Sequence, residues 1–241
     1  MASQRTLLLI ADISGYTRYL RTHPMSLAHA EVNLTRLLEA VIDAAPDFDL
    51  IEIEGDAAFL ARRADSLDDE ATADAMARAV GAMHQAFHRE RRYVASNLCP
   101  CDACEETNDM RLKFVAHVGE VADQTIRNRR KLVEIDVVLV HRLLKNAVED
   151  PEYVLMSNDL YQATGTAFEP VRELPQEFEG LGTMVTYVAG VEGLAGSLAP
   201  LPDPGLLQRL GRTVDVAGRG MPYMLGLRRR RRRRRRPVLA S

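Results

Sequence analysis

The sequence predicts an α+β protein: a largely antiparallel sheet with helices packed on one side of it. Three observations carry that prediction. Apolar runs of strand length alternate with amphipathic stretches in the order β-α-β-β-α-β-(β)-α-β-β. Turn residues punctuate the runs, above all Gly55-Asp56 between two alternating segments. Finally, 46% hydrophobic and 27% charged residues over 241 positions is the balance of a chain that buries a core, which sets aside disorder and a disulfide scaffold.

Each element has a local reason. Thr6–Ile13 reads as a buried central strand that delivers Asp12 to its end. Ser14-Gly15 turns the chain, and Tyr16–Leu20 reads as one helical turn broken at His23-Pro24. Ser26 opens a helix in which Leu27, Ala30, Leu34, Leu37, Leu38, Val41 and Ala45 recur at helical spacing, and Pro46 stops it. Phe48–Arg63 reads as a hairpin, with Leu50, Glu52 and Glu54 on one face of its first strand and Ile51 and Ile53 on the other. Ser66 starts a long helix to Tyr93 that turns Met76, Val80, Met83 and Phe87 inward.

A cysteine-bearing loop follows. Arg111–Val118 and Lys131–Ile135 read as strands, and Val137–Val148 as a helix ended by Asp150-Pro151. Tyr153–Met156 is a short strand, Asn158–Ala163 a short helix and Met184–Ala189 the last strand. From Gly190 the composition shifts to Gly, Pro and Leu. Residues 1–189 therefore read as one domain and 190–241 as a tail, with order expected around Leu206–Leu210.

No apolar stretch approaches the roughly 18 residues of a membrane span. The run Leu7–Ala11 has only Arg5 before it and an aspartate directly after, which is not a secretory pattern. With an odd count of three cysteines, this points to a reducing, cytoplasmic setting. The net charge of −3 conceals an asymmetry: Arg228–Arg236 is an unbroken arginine run, and the rest carries 22 basic against 34 acidic side chains, a net −12. Such a run stays solvated. It suits a polyanion (nucleic acid or anionic lipid), docking on the acidic body, or no selected role at all.

Asp12 at a strand end and Asp56 at a hairpin tip come to one sheet edge if strand and hairpin are neighbours. Two carboxylates suit Mg²⁺ or Mn²⁺, which take few protein ligands beside phosphate and water. Singly, an N-cap aspartate and a turn aspartate explain them as well. Together with their surroundings they say more. Ala11-Asp12-Ile13-Ser14-Gly15-Tyr16-Thr17, then Glu54-Gly55-Asp56-Ala57-Ala58-Phe59, resembles the class III nucleotidyl cyclase catalytic domain, with its D-I-x-G-F-T strand and G-D-A hairpin tip. Ala116-His117-Val118-Gly119-Glu120-Val121 is similar to the family's G-x-H-x-G strand, and Val140-His141-Arg142-Leu143-Leu144-Lys145 takes the place of its V-N-x-A-x-R helix. More narrowly, ADISGYT, EGDAAF, the clustered cysteines and VHRLLKN resemble a bacterial branch of this superfamily, the DUF2652 group.

The resemblance implies a ferredoxin-like nucleotidyl-cyclase sheet over residues 7–189. It also implies conversion of ATP or GTP to a cyclic nucleotide and pyrophosphate by two-metal catalysis. Asp12 and Asp56, helped by the Ile13 carbonyl, would hold the ions. The amides of Ser14, Gly15, Tyr16 and Thr17 would cradle phosphate. A homodimer is implied, because the family's site lies between subunits. His141 and Lys145 stand where active cyclases have Asn and Arg, and Lys145 would supply charge to the transition state as a point cation; a merely solvated stripe is the competing reading. Glu52 occupies the base-selecting position and leans towards guanine. Glu134 occupies the second such position and matches neither subfamily, and Glu54 replaces an apolar residue. A regulatory module that binds nucleotide without turnover, and a nucleic-acid-associated protein acting through its arginine tail, are the other readings.

Cys99, Cys101 and Cys104 offer three thiols in one loop, with His84 or His88 of the preceding helix as a fourth ligand for Zn²⁺; merely reduced cysteines are the alternative. His117, on a strand, reads as a core histidine.

Overall fold

The computed structural model describes residues 3–15, 24–99, 101–168, 170–191, 194 and 204–224. Tyr16, Thr17 and Arg228–Arg236 lie outside the described residues. Eight strands form the sheet: β1 (Gln4–Ser14), β2 (Asp49–Glu54), β3 (Ala57–Arg63), β4 (Arg111–Ile126), β5 (Arg129–Val133), β6 (Val154–Ser157), β7 (Val171–Phe178) and β8 (Gly182–Ala189). Their order is β2-β3-β1-β4-β6-β8-β7, with β5 paired to the far end of β4. Among the described residues only β4 and β6 run parallel. The helices are α1 (Pro24–Asp43), α2 (Asp69–Ala95), α3 (Asp102–Glu106), α4 (Ile135–Leu143), α5 (Asn158–Thr164) and α6 (Leu206–Met224). The α+β class is as the sequence predicts. No helix among the described residues is long and apolar enough to cross a membrane.

β1 is apolar throughout because it is buried on both faces. Leu7, Leu9, Ala11 and Ile13 pack with Leu34, Leu37 and Val41 of α1 and Met76, Val80, Met83 and Phe87 of α2. The alternate residues Leu8 and Ile10 pack with Phe59, Val115 and the α4 residues Leu139, Val140 and Leu143. Helices therefore cover both faces, not one as expected. Two-sided apolar strands require a second cover, and α4 supplies it.

Several boundaries differ for physical reasons. The helix expected from Ser66 begins after Asp68, whose carboxylate accepts from the Ala71 N–H at 2.8 Å, with Asp69 and Glu70 in the first turn. A bulge between Leu50 and Glu52 breaks the strict alternation of β2. It leaves Glu52 and Glu54 opposite Phe59 and Ala57 but turns Leu50 to the other face, opposite Leu60. α4 stops at Leu143, short of the expected Val148. β7 escapes the sequence reading because it is an edge strand in which half the residues are polar and Pro175 interrupts the run. α6 packs against α1: Arg36 pairs with Glu90 at 2.5 Å and with Asp215, while Arg36 and Arg212 both stack on the Tyr93 ring.

His117 is a core residue, 1% exposed. Its Nδ1 lies 2.7 Å from Ser157 Oγ, which itself accepts the Leu160 N–H at 3.2 Å. Its Nε2 faces Asp136 Oδ1 at 3.2 Å, off the line of a well-aligned hydrogen bond. Asp136 also accepts the Glu120 N–H at 2.6 Å. A Cβ on Gly119 would clash with the Asp136 carboxylate, so only glycine allows this approach. The neighbouring His117 imidazole holds the Asp136 carboxyl below the usual carboxylate range. A depressed folded-state pKa contributes stability above the unfolded value and loses it as pH falls through the folded one. Asp136→Asn is accordingly expected to cost about 1–3 kcal/mol at pH 7. Denaturant melts should show that deficit shrinking below about pH 4, where the parent carboxylate also protonates.

Candidate functional site

At one end of β1 two carboxylates meet. Asp12 stands opposite Ala57 of β3 and opposite Lys113 of β4. Asp56 occupies the β2–β3 turn beside Gly55, whose φ of +70° suits glycine. The Ile13 N–H donates to the Asp56 carbonyl at 3.1 Å, which ties the hairpin tip to the end of β1. Burial, and then the charge of Asp12, hold the Asp56 carboxyl above the usual carboxylate range. Lys113 Nζ lies 3.0 Å from Asp12 Oδ2. Burial works against that ammonium, but Asp12 outweighs it and raises its pKa. Two half-buried carboxylates that repel each other, with Lys113 beside them, still favour a further cation. This donor set fits Mg²⁺ or Mn²⁺, with Asp12 and Asp56 as the side-chain ligands.

Sequence reasoning missed Lys113. Its only signal was a lysine placed where an apolar strand alternates, and its partner emerges from the register of two strands about a hundred residues apart. Ile13 is fully buried. The Ser14 hydroxyl donates to the Arg111 carbonyl at 3.3 Å, and Gly15 has φ +96°, the left-handed turn that leaves the sheet.

The other expected residues lie beside this pair. A cleft of about 410 Å³ between β2, β5 and α4 is lined by Glu52, Glu54, Lys131, His141, Arg142 and Lys145 among others. Neither Asp12 nor Asp56 lines it, and neither does Glu134, which precedes α4 with φ +122°. Glu54, Ala57 and Asp12 sit side by side on one face across three strands. At about 4.8 Å per strand, Glu54 and Asp12 are roughly 10 Å apart at their backbones. His141 donates Nδ1–H to the Val137 carbonyl at 2.7 Å, sits edge-on to Phe59 and faces Glu54 Oε1 through Nε2 at 3.2 Å. Lys145 lies just beyond the end of α4, exposed, its side chain without an ion pair among the described residues. It reaches the cleft from a turn instead of from the shared helical stripe that the spacing suggested.

The cysteines find a different fourth partner. His29 of α1 meets Cys99 and Cys101, whereas His84 and His88 pair with Glu152 in a separate cluster. The i, i+4 histidines of α2 face the sheet end where Glu152 enters, away from the loop that follows the helix. Hydrogen bonding from Cys101 lowers the Cys104 thiol, and its bond to Cys104 pushes Cys101 up to about 12.

The sheet and its helices match the fold of solved adenylyl and guanylyl cyclase catalytic domains. The guanylate cyclase domain of RhGC from Catenaria anguillulae, solved in complex with GTP, aligns at TM-score 0.56 and 18% identity, covering 78% of this chain and 98% of its own. The adenylyl cyclase CyaB from P. aeruginosa aligns at TM-score 0.54 and 13% identity, covering 85% and 98%. Residues 34–153 match the family described as "Protein of unknown function (DUF2652)". "Uncharacterized protein Rv2561/Rv2562" of Mycobacterium tuberculosis (strain ATCC 25618 / H37Rv) is 33% identical over 202 residues, 81% of this chain and 91% of that protein. The chain belongs to the DUF2652 family.

Proposed function

We propose that this protein binds a nucleoside triphosphate with Mg²⁺ or Mn²⁺ and cyclises it, releasing pyrophosphate, as a homodimer. The observation that carries the reading is the Asp12–Asp56 pair at the end of β1, a site of unbalanced negative charge beside Lys113. A bound divalent ion would neutralise the polyphosphate and favour ionisation of the ribose 3′-hydroxyl. Asp12 and Asp56 orient that ion, and the turn at Ser14-Gly15 offers amides to phosphate oxygens. Lys145, free at the cleft, contributes positive charge to the transferring phosphate. Glu52 in the cleft accepts the paired N–H groups of guanine, which favours GTP over ATP.

Placement outside one another's reach supports the dimer reading: neither Asp12 nor Asp56 lines the cleft that holds Glu52 and Lys145. The carboxylates and the cleft residues occupy different parts of one chain, and a two-fold pairing would let each copy complete the other's site. Ile135 and Val138, exposed apolar side chains of α4, are the surface a second copy would cover. The Glu54–His141 contact and the placement of Lys145 beyond α4 favour a second reading, a regulatory module that holds nucleotide without turnover.

The deciding assay incubates purified full-length protein with GTP or ATP and Mn²⁺ and measures cyclic product and pyrophosphate. Product from GTP in excess over ATP is the expected result. Tight Mn²⁺-dependent binding without product from either would select the regulatory reading. Mixing Asp12→Asn with Lys145→Ala should restore part of the activity that each lacks; no recovery from stable mixed dimers would exclude shared sites.

A further inference from the structure

The turn after α2 carries a second arrangement with chemistry of its own, independent of the nucleotide reading. Cys99, Cys101, Cys104 and His29 each offer one ligand atom, and these four atoms all lie within 4.8 Å of one another. His29 Nδ1 is 3.3 Å from Cys101 Sγ and 3.5 Å from Cys99 Sγ. A tetrahedral zinc with Zn–S of about 2.3 Å and Zn–N of about 2.0–2.1 Å places nitrogen and sulfur about 3.6 Å apart. The imidazole and thiols already stand within a few tenths of an ångström of that spacing. They converge from two elements separated by about seventy residues of chain.

We propose that His29, Cys99, Cys101 and Cys104 form a structural Zn²⁺ site of the Cys₃His type. Binding takes one Zn²⁺, releases the three thiol protons to solvent and leaves a centre of net charge −1, with neutral His29 ligating through Nδ1. That residual charge has donors waiting. Asn97 Nδ2 lies 3.3 Å and Asn33 Nδ2 3.9 Å from Cys104 Sγ, the kind of outer hydrogen bonds that thiolate ligands take. Four protein ligands leave no open position, so the ion holds structure and performs no catalysis. A disulfide within the loop would use two thiols and strand the third beside His29; the zinc site uses all four groups.

What the ion holds is the junction of three helices. It ties α1 to the connection between α2 and β4, and α6 rests on that same connection. The Leu98 N–H donates to Thr213 Oγ1 at 2.7 Å, and Arg209 Nε donates to the Ser96 carbonyl at 3.1 Å. Removing the ion frees the loop that positions α6.

The test uses the full chain, purified without chelator, with metal content measured by mass spectrometry. One zinc per chain is expected, and its removal should lower the melting temperature reversibly. Replacing it with Co²⁺ in the unaltered chain should give the strong visible bands of a tetrahedral site and a thiolate charge-transfer band, a readout that needs no mutant to fold. Cys104→Ser and His29→Ala should lose the metal, while His88→Ala keeps it. Absence of both zinc and the cobalt–thiolate spectrum would overturn the proposal. So would metal that survives Cys104→Ser but disappears with His88→Ala, since the ion would then belong to the His84–His88–Glu152 cluster of α2.

Discussion

Asparagine at position 12 or position 56 is expected to abolish Mn²⁺-dependent nucleotide binding and any turnover, while the fold persists. The charge stabilisation supplied by a divalent ion is worth several kcal/mol, so residual turnover should fall to about a thousandth of the parent or less. The two variants should part company in stability. Asp12 neutralises Lys113 at 3.0 Å, and both side chains are mostly buried. Asp12→Asn leaves that ammonium without its counter-charge, at a cost of about 1–3 kcal/mol. Asp56 is the group that burial and Asp12 disfavour as an anion. Asp56→Asn removes that repulsion, so it should melt at or above the parent temperature while binding no metal. Isothermal titration with Mn²⁺ and the triphosphate, alongside thermal melts, reads both effects. If either variant binds like the parent, the carboxylate pair is not a metal site. If Asp56→Asn proves the less stable of the two, then Asp56, and not Asp12, is the counter-charge that Lys113 requires.

Lys145→Ala is expected to lower kcat by about 10²-fold or more with little change in nucleotide affinity. That is the scale of removing one electrostatic stabiliser of a transition state. The side chain is exposed at the cleft and makes no ion pair or hydrogen bond among the described residues, and the backbone bond from the Lys145 N–H to the Arg142 carbonyl survives the change, so the variant should fold and melt like the parent. Lys145→Arg is a more searching change. A planar fork can grip phosphate oxygens in two places where an ammonium offers one, so arginine should retain or raise turnover. Equal loss of binding and rate in the alanine variant would make Lys145 a ground-state phosphate contact. No change in either would leave it a solvated surface lysine and remove it from the mechanism.

Much of the site was legible because its signals are local. The ADISGYT segment places Asp12 near the end of an apolar strand and EGDAAF places Asp56 in a turn, and both placements are set by neighbouring residues. Lys113, the third charge of the same site, was not legible, since strand register decides its partner. The cysteine cluster shows the same division. Three thiols in six residues could be read directly, but the imidazole that joins them comes from α1. The i, i+4 histidines that looked suitable turn instead towards Glu152, where the face of α2 points them.

By itself the sequence determined most of the element types, the burial of β1, and the placing of Asp12 near the end of that strand and Asp56 in the hairpin turn. These follow from hydrophobic period and turn chemistry, which act over a few residues. Tertiary structure alone decided which face α4 covers, the bulge that puts Leu50 on the opposite face from Glu52 and Glu54, and the recruitment of β7 to a sheet edge. It also decided the pairing of His29 with the cysteines. Each of these depends on packing between segments distant in the chain, where the free energy of burial and pairing outweighs local preference.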